Sequence, residues 1–260
     1  MYSEDQAPNS FFLMTACDPV YLRKHAPEWV ASAAKSNNNI HLHVVNASAK
    51  DIEYINELRA LAYGIVKTNG YNDSDWRMTF SHLDIDHVTF DQLDEEAKRT
   101  YYACSRFLIA KKLLWRDPSC RILITDTDCL IMDHINTPSP DIDLGLFLRE
   151  PLPGVNDWER EGSRVAAGVL YLGRRGLEFI TAVEKYLTGQ HLRWFLDQYA
   201  ISQAWKEVLA REQAGSFLFY DNTFMDWEFK EGTTIWTGKG PRKYENQTYL
   251  AKKAEFRAML

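Results

Sequence analysis

Short runs of large aliphatic and aromatic residues alternate along this chain with stretches of helical period, and their order predicts the architecture. Phe11-Phe12-Leu13-Met14 reads as a first strand that breaks at Asp18-Pro19, because proline cannot continue a ladder. A helix is expected over residues 21–35, stopped by Asn37 to Asn39, and a second strand over 40–45. Ile52, Ile55, Leu58 and Leu61 stand at helical spacing in 51–63. A weak strand over 77–83 precedes a long helix over 95–115, with Arg106 off its apolar stripe. Then comes RILITDTD, residues 121–128: Ile122-Leu123-Ile124 suit a strand buried on both faces, as in a parallel sheet covered by helices. Further strands are expected over 144–148, 165–172, 217–220 and 233–236, and helices over 176–187 and 194–209. Residues 149–163, with Pro151, Pro153, Gly154 and Gly162, read as a long loop, and the tail from Gly238 as a basic one. Alternating strand and helix predicts an α/β fold with a mostly parallel central sheet flanked by helices. No repeat or linker interrupts it, so residues 1–260 are expected to form one continuous domain.

The strand ends give this pattern its chemistry. In open α/β sheets ligands bind outside the carboxyl ends of the strands, and Asp126 and Asp128 stand where the 121–125 strand runs out. Two acids placed there need a positive partner, since an unpaired buried carboxylate is costly. A divalent cation held by one or two carboxylates keeps positions free for phosphate oxygens, so the pair points to a metal and diphosphate site. Asp84-Ile85-Asp86 and Asp141-Ile142-Asp143 repeat the spacing without the preceding aliphatic strand and read as solvated turns. His41 and His43 share one face of the second strand; with no third ligand nearby they read as an ordinary strand face. Asp197 falls in the opening turn of a helix, where an acid also serves as a cap. Lys239, Arg242 and Lys243 lie on a glycine-punctuated segment whose backbone can approach phosphate oxygens closely.

Composition narrows the setting. With 45% hydrophobic and 25% charged residues the 260-residue chain reads as globular, and its net charge of −6 provides no global field toward nucleic acid or anionic membranes. No apolar run approaches the roughly 18 residues of a membrane span. The N-terminal stretch carries acids where a signal peptide carries Lys or Arg, and Cys17, Cys104, Cys120 and Cys129 lack C-x-x-C spacing. A cytoplasmic protein is the expectation.

Several of these segments resemble, in order, the motifs of glycosyltransferase family eight, retaining enzymes of the GT-A fold. Ala16-Cys17-Asp18-Pro19-Val20-Tyr21 is similar to the family's A-x-D-x-x-Y, Arg106 to its helix arginine, Asp126-Thr127-Asp128 to its D-x-D, and Ala166-Ala167-Gly168-Val169 to its N-S-G-V. Asp197-Gln198 resembles its D-Q pair, and Gly240-Pro241-Arg242-Lys243 its G-x-x-K. The resemblance implies a GT-A type, Rossmann-like sheet, with residues 11–130 as the nucleotide-binding half and 131–260 as the sugar and acceptor half. It implies a nucleotide-sugar donor, a UDP-sugar, used with Mn²⁺ or Mg²⁺ on Asp126 and Asp128. Ala16, Asp18, Tyr21, Arg106, Asp126, Thr127, Asp128, Gly240 and Lys243 would hold the donor. Asp197 would contact sugar hydroxyls, Gln198 would lie beneath the anomeric carbon, and Lys243 would neutralise the leaving phosphate. Transfer with retention, to a saccharide, lipid-linked saccharide or protein acceptor, is implied with them. The pattern departs at Thr237, where the family carries a histidine metal ligand. That departure keeps open a looser metal site, or a nucleotide-sugar-binding protein without turnover. The other alternative, a phosphatase or phosphotransferase with Asp126 as nucleophile, is disfavoured: such proteins carry hhhhDxD on their first strand, whereas about 120 residues precede it here.

Overall fold

β4 (Arg121–Thr125) lies in the interior of a seven-stranded sheet. The computed structural model describes residues 11–72, 74–84, 90, 92–211 and 215–260; Asp86, of the first D-x-D string, lies outside them. The strand order is β3 (Met78–Leu83), β2 (Ile40–Val45), β1 (Phe11–Cys17), β4, β7 (Val165–Leu172), β6 (Leu144–Leu148), β8 (Phe217–Phe219). β4 pairs in parallel with β1 and antiparallel with β7, which is also antiparallel to β6. The remaining neighbours are parallel, so the sheet is mostly parallel, as the alternation predicts.

The strand's composition follows from its position. Ile122 and Ile124 join Phe12 and Met14 in one apolar cluster with Phe107 and Ile109 of α4 (Glu95–Arg116) and with α6 (Gly176–Leu187) and α7 (Leu196–Ala210). Leu123 points the other way and joins Leu13, Trp29 and Val30 of α2 (Ala26–Lys35) and Ile55 and Leu58 of α3 (Ala49–Thr68). Both faces of β4 are thus covered by helices, which is why it tolerates no polar alternation.

Four expectations need correction. The helix expected over 21–35 is two, α1 (Pro19–Lys24) and α2, because Pro27 lacks an N–H and fits only in a first turn; the chain bends at His25. The expected loop at 149–163 contains α5 (Asp157–Ser163), with Asn156 accepting the Glu159 N–H at 2.9 Å. The tail is also helical, as α8 (Arg242–Glu245) and α9 (Gln247–Arg257), the latter capped by Asn246. α9 is tied to α2 where Arg257 meets the buried Glu28 at 2.7 Å. Finally, Asp143 is not a solvated turn residue: its carboxylate is fully buried, accepting from Arg174 at 2.8 Å and from the Ser216 N–H at 3.0 Å. A small second sheet, β5 (Cys129–Ile131), β10 (Ile235–Thr237) and β9 (Met225–Asp226), was legible only in its 233–236 strand.

Candidate active site

Where β4 ends, a β-turn carries the chain into the second sheet, the Cys129 N–H reaching the Asp126 carbonyl at 3.2 Å. Its conformation is fixed from behind. Trp29 donates its indole N–H to the Thr125 hydroxyl at 3.0 Å, and Thr127 bonds the Thr15 hydroxyl at 2.7 Å and the Ala16 carbonyl at 3.2 Å. Thr127 therefore anchors the turn to β1. Asp126 and Asp128, on either side of it, face separate cations.

Asp126 is paired with Arg106, and the same guanidinium reaches Asp197 at 2.9 Å. Arg106 is buried on α4; burial opposes its charge, but Asp126 and Asp197 outweigh that and hold the cation charged. The bridge joins the end of β4 to the first turn of α7, 71 residues later in the chain (197 − 126). Within the first turn of α7, Asp197 also accepts the N–H of its neighbour Gln198 at 2.8 Å. The carboxylate of Asp126 has room because residue 168, on the neighbouring β7, is glycine: a Cβ there would stand 2.7 Å from its Oδ2.

Asp128 faces the C-terminal helices. Lys243 on α8 donates to its carboxylate at 2.8 Å and to the Tyr21 hydroxyl at 3.0 Å. Burial raises the Asp128 carboxyl, Lys243 opposing; burial likewise works against the ammonium, but Asp128 and Tyr21 raise it overall. The Asp128 carbonyl accepts from the Tyr249 hydroxyl at 2.6 Å and the Gly238 N–H at 3.2 Å. Gly238 is required there, since a Cβ would meet the Tyr249 oxygen at 2.7 Å.

Of the residues singled out from sequence, Tyr21, Arg106, Asp126, Thr127, Asp128, Asp197, Gln198 and Lys243 converge in this network, with the Ala16 carbonyl at its rear. Asp18 caps α1 through the Tyr21 N–H at 2.6 Å, and burial raises its carboxyl. Gly240 occupies a left-handed turn, φ 64°, leading into α8. Arg242 is exposed. Thr237 pairs with Cys129 across the second sheet and is buried, placing a hydroxyl at the position where the resemblance leads one to expect imidazole. Sequence reading missed Tyr249 and Arg149. Asn246 followed by QTYLAKKAEF was an available helix-cap signal for the first; nothing local marks the second.

Among the described residues no group of three or more His, Cys, Asp or Glu side chains converges. The donor set of two carboxylates nevertheless fits a hard divalent cation that completes its shell with substrate and water oxygens, and Gly168 leaves one side of Asp126 open for it.

Solved structures resemble this chain in fold. The galactosyltransferase LgtC, solved in complex with donor and acceptor sugar analogs, matches 96% of this chain and 95% of its own, with TM-score 0.53 and 15% identity. The apo structure of the bifunctional glycosyltransferase WbbM matches with TM-score 0.58 and 9% identity over 96% of this chain and 50% of that one. This chain has the GT-A glycosyltransferase fold. The apo form of the glycosyltransferase GlyE from Streptococcus pneumoniae agrees, with TM-score 0.52 and 11% identity over 95% of this chain and 61% of its own. The chain thus spans half of WbbM and about three fifths of GlyE. No protein-family model and no curated protein sequence matches it. In this GT-A fold the D-x-D turn lies at the carboxyl end of β4, beside the reversal in strand direction between β4 and β7. Crevices at such ends are where open α/β sheets bind ligands. No helix among the described residues is long and apolar enough to cross a membrane.

Proposed function

We propose that this protein is a nucleotide-sugar-dependent glycosyltransferase that uses a UDP-sugar, with residues 11–130 holding the nucleotide and 131–260 the sugar and acceptor. The observation that carries the reading is the pair of carboxylates on the β4 turn, each met by a buried or half-buried cation and linked through Arg106 to Asp197-Gln198. A cytoplasmic setting, in keeping with four buried thiols, belongs to the same reading.

Asp126 and Asp128 would hold Mn²⁺ or Mg²⁺, which when bound supplies Lewis-acid charge to the diphosphate. Lys243, held between Tyr21 and Asp128, would turn from Asp128 to the oxygens of the leaving phosphate as the glycosidic C–O bond breaks. Arg106 positions both acids at once, and this keeps the sugar-contacting Asp197 in register with the phosphate end. Gln198, beneath the anomeric carbon in this reading, carries no charge and offers its amide to the developing positive centre. The sugar passes to an acceptor oxygen, whose proton leaves with the departing diphosphate or water; retention of configuration is carried over from the resemblance. The alternative of a donor-binding protein without turnover draws on Thr237.

Thermal-shift titration with nucleotide sugars, with and without Mn²⁺, tests the proposal. A UDP-sugar at a hundredfold excess over its Kd should stabilise the fold by about 2.7 kcal/mol, more with metal than without. No stabilisation by any UDP-sugar would end the proposal, and tight binding without hydrolysis or transfer would favour the binding protein.

A further inference from the structure

The phosphate end of the site is close to charge balance on its own residues: Asp126, Asp128 and Asp197 face Arg106 and Lys243. The other end is not. Arg149 follows β6, its backbone N–H held by the Arg164 carbonyl at 3.0 Å. Its guanidinium donates through Nε to the Ser163 carbonyl, and through Nη2 to the Gln198 Oε1 at 2.9 Å and the Val165 carbonyl at 3.5 Å. Every one of these acceptors is neutral. Among the described residues no carboxylate pairs with Arg149, and its Nη1 makes no hydrogen bond. Burial pulls this guanidinium below its ordinary value.

A second cation lies on the same side. Lys239 sits 5.8 Å from the Trp227 ring, which packs at 5.8 Å on Phe147, two residues before Arg149. It has no carboxylate partner among the described residues. Much of its surface is exposed, yet dehydration around the ammonium, and after it the Arg149 charge, lowers its pKa, with Asp126 and Asp197 pulling the other way. Two cations without a counter-ion, one partly desolvated and touching Gln198, leave the sugar end with surplus positive charge. Partial burial makes such a charge costly until an anion arrives. The fork geometry of arginine suits a planar carboxylate in particular.

We propose that Arg149, with Lys239 beside it, is a subsite for the carboxylate of a uronic acid bound next to Gln198. This rests on the nucleotide-sugar reading of the same site. The carboxylate could sit on the transferred sugar or on the acceptor, and the experiment separates them. Binding of UDP, UDP-glucose and UDP-glucuronate is measured calorimetrically on the full chain, and a methyl glucuronide is compared with a methyl glucoside in the presence of UDP. The same set is repeated on Arg149→Met and Arg149→Lys, with circular dichroism as the check on folding.

The expected result is at least tenfold tighter binding of the acidic sugar over the neutral one in one arm. Arg149→Met should abolish that preference with UDP affinity unchanged, and Arg149→Lys should keep part of it. A wild type that prefers the acidic sugar in neither arm overturns the inference. So does an Arg149→Lys variant that folds yet weakens UDP, UDP-glucose and UDP-glucuronate equally, since Arg149 would then read the diphosphate. Failure of UDP itself to bind sinks the nucleotide-sugar reading and this inference with it. UDP binding without any preference sinks this one alone.

Discussion

Two turns of this molecule carry the same Asp-x-Asp spacing and use it in opposite ways. At 126–128 the acids sit where a sheet strand ends, each opposite its own cation. At 141–143 one acid is exposed and hydrogen-bonded to Ser139, while the other is buried and holds the entry to β6 against the strand at Phe217 through Ser216 and Arg174. Spacing is the same; the difference lies in what approaches from elsewhere in the chain. Lys243 comes to Asp128 from 115 residues away, whereas Asp143 is buried and held by both the Ser216 N–H and the Arg174 guanidinium. A carboxylate with no exposed surface is structural, whereas Asp126 keeps over a third of its side chain exposed at the strand end.

Replacing one acid in each turn breaks the comparison most sharply. Asp128→Ala should lower transfer or donor hydrolysis by about 100-fold or more, the usual loss when one well-placed charge leaves a catalytic site, and should also lower the denaturation midpoint, because the largely buried Lys243 ammonium loses its partner. Steady-state rates and a urea melt on the same preparation decide it, and full metal-dependent turnover would reassign the residue. Asp143→Ala should lower stability and spare turnover. Leaving the half-buried Ser216 N–H and the Arg174 guanidinium without their acceptor costs about 2 kcal/mol of stability, read from urea unfolding, with UDP affinity unchanged.

A smaller change sharpens the contrast from the neighbouring strand. In Gly168→Ala the new methyl would lie 2.7 Å from Asp126 Oδ2, so the carboxylate must shift. Since sub-ångström misplacement is costly at such a site, donor turnover should fall by about tenfold with the fold intact by circular dichroism. The smallest effect is the acid background against which both turns are compared. His41 bonds Thr79 at 2.8 Å and Ser81 at 2.9 Å, and His43 shares Ser81; burial lowers them to about 4 and about 3. The unfolded chain takes up protons nearer pH 6.5, so it binds more protons than the folded one between that pH and the lowered values. Stability is therefore full above about pH 6.5 and lost as pH falls toward 4. At pH 5.5 the loss should be about 1 kcal/mol per histidine, by the 1.36 kcal/mol per pKa unit of linkage. A His41→Asn variant should flatten that slope in urea melts run across pH.

How far the sequence alone reached can be judged residue by residue. The Ile122-Leu123-Ile124 run identified a strand buried on both sides because apolar residues on successive positions leave no face for water, and the Asp126-Asp128 exit followed from it. Periodicity likewise located α3, α4 and α6, since a helix that buries one stripe must repeat it every 3.6 residues. The break at Pro27 was also legible, being a matter of a missing N–H, although the reading over 21–35 passed over it. What periodicity could not supply was partnership. Nothing local to Asp143 shows that Ser216 will close over it, and nothing near Arg149 shows that its acceptors will all be neutral. Whether Lys243 would reach Asp128 depended on α9 packing against α2 and carrying α8 with it. The sequence determined which segments carry an apolar face and which acids end a strand, because those are local properties of the chain. Only the tertiary structure decided which charges meet and which are left without a counter-ion, because that depends on charged groups brought together at the D-x-D turn from 20 to 115 residues apart.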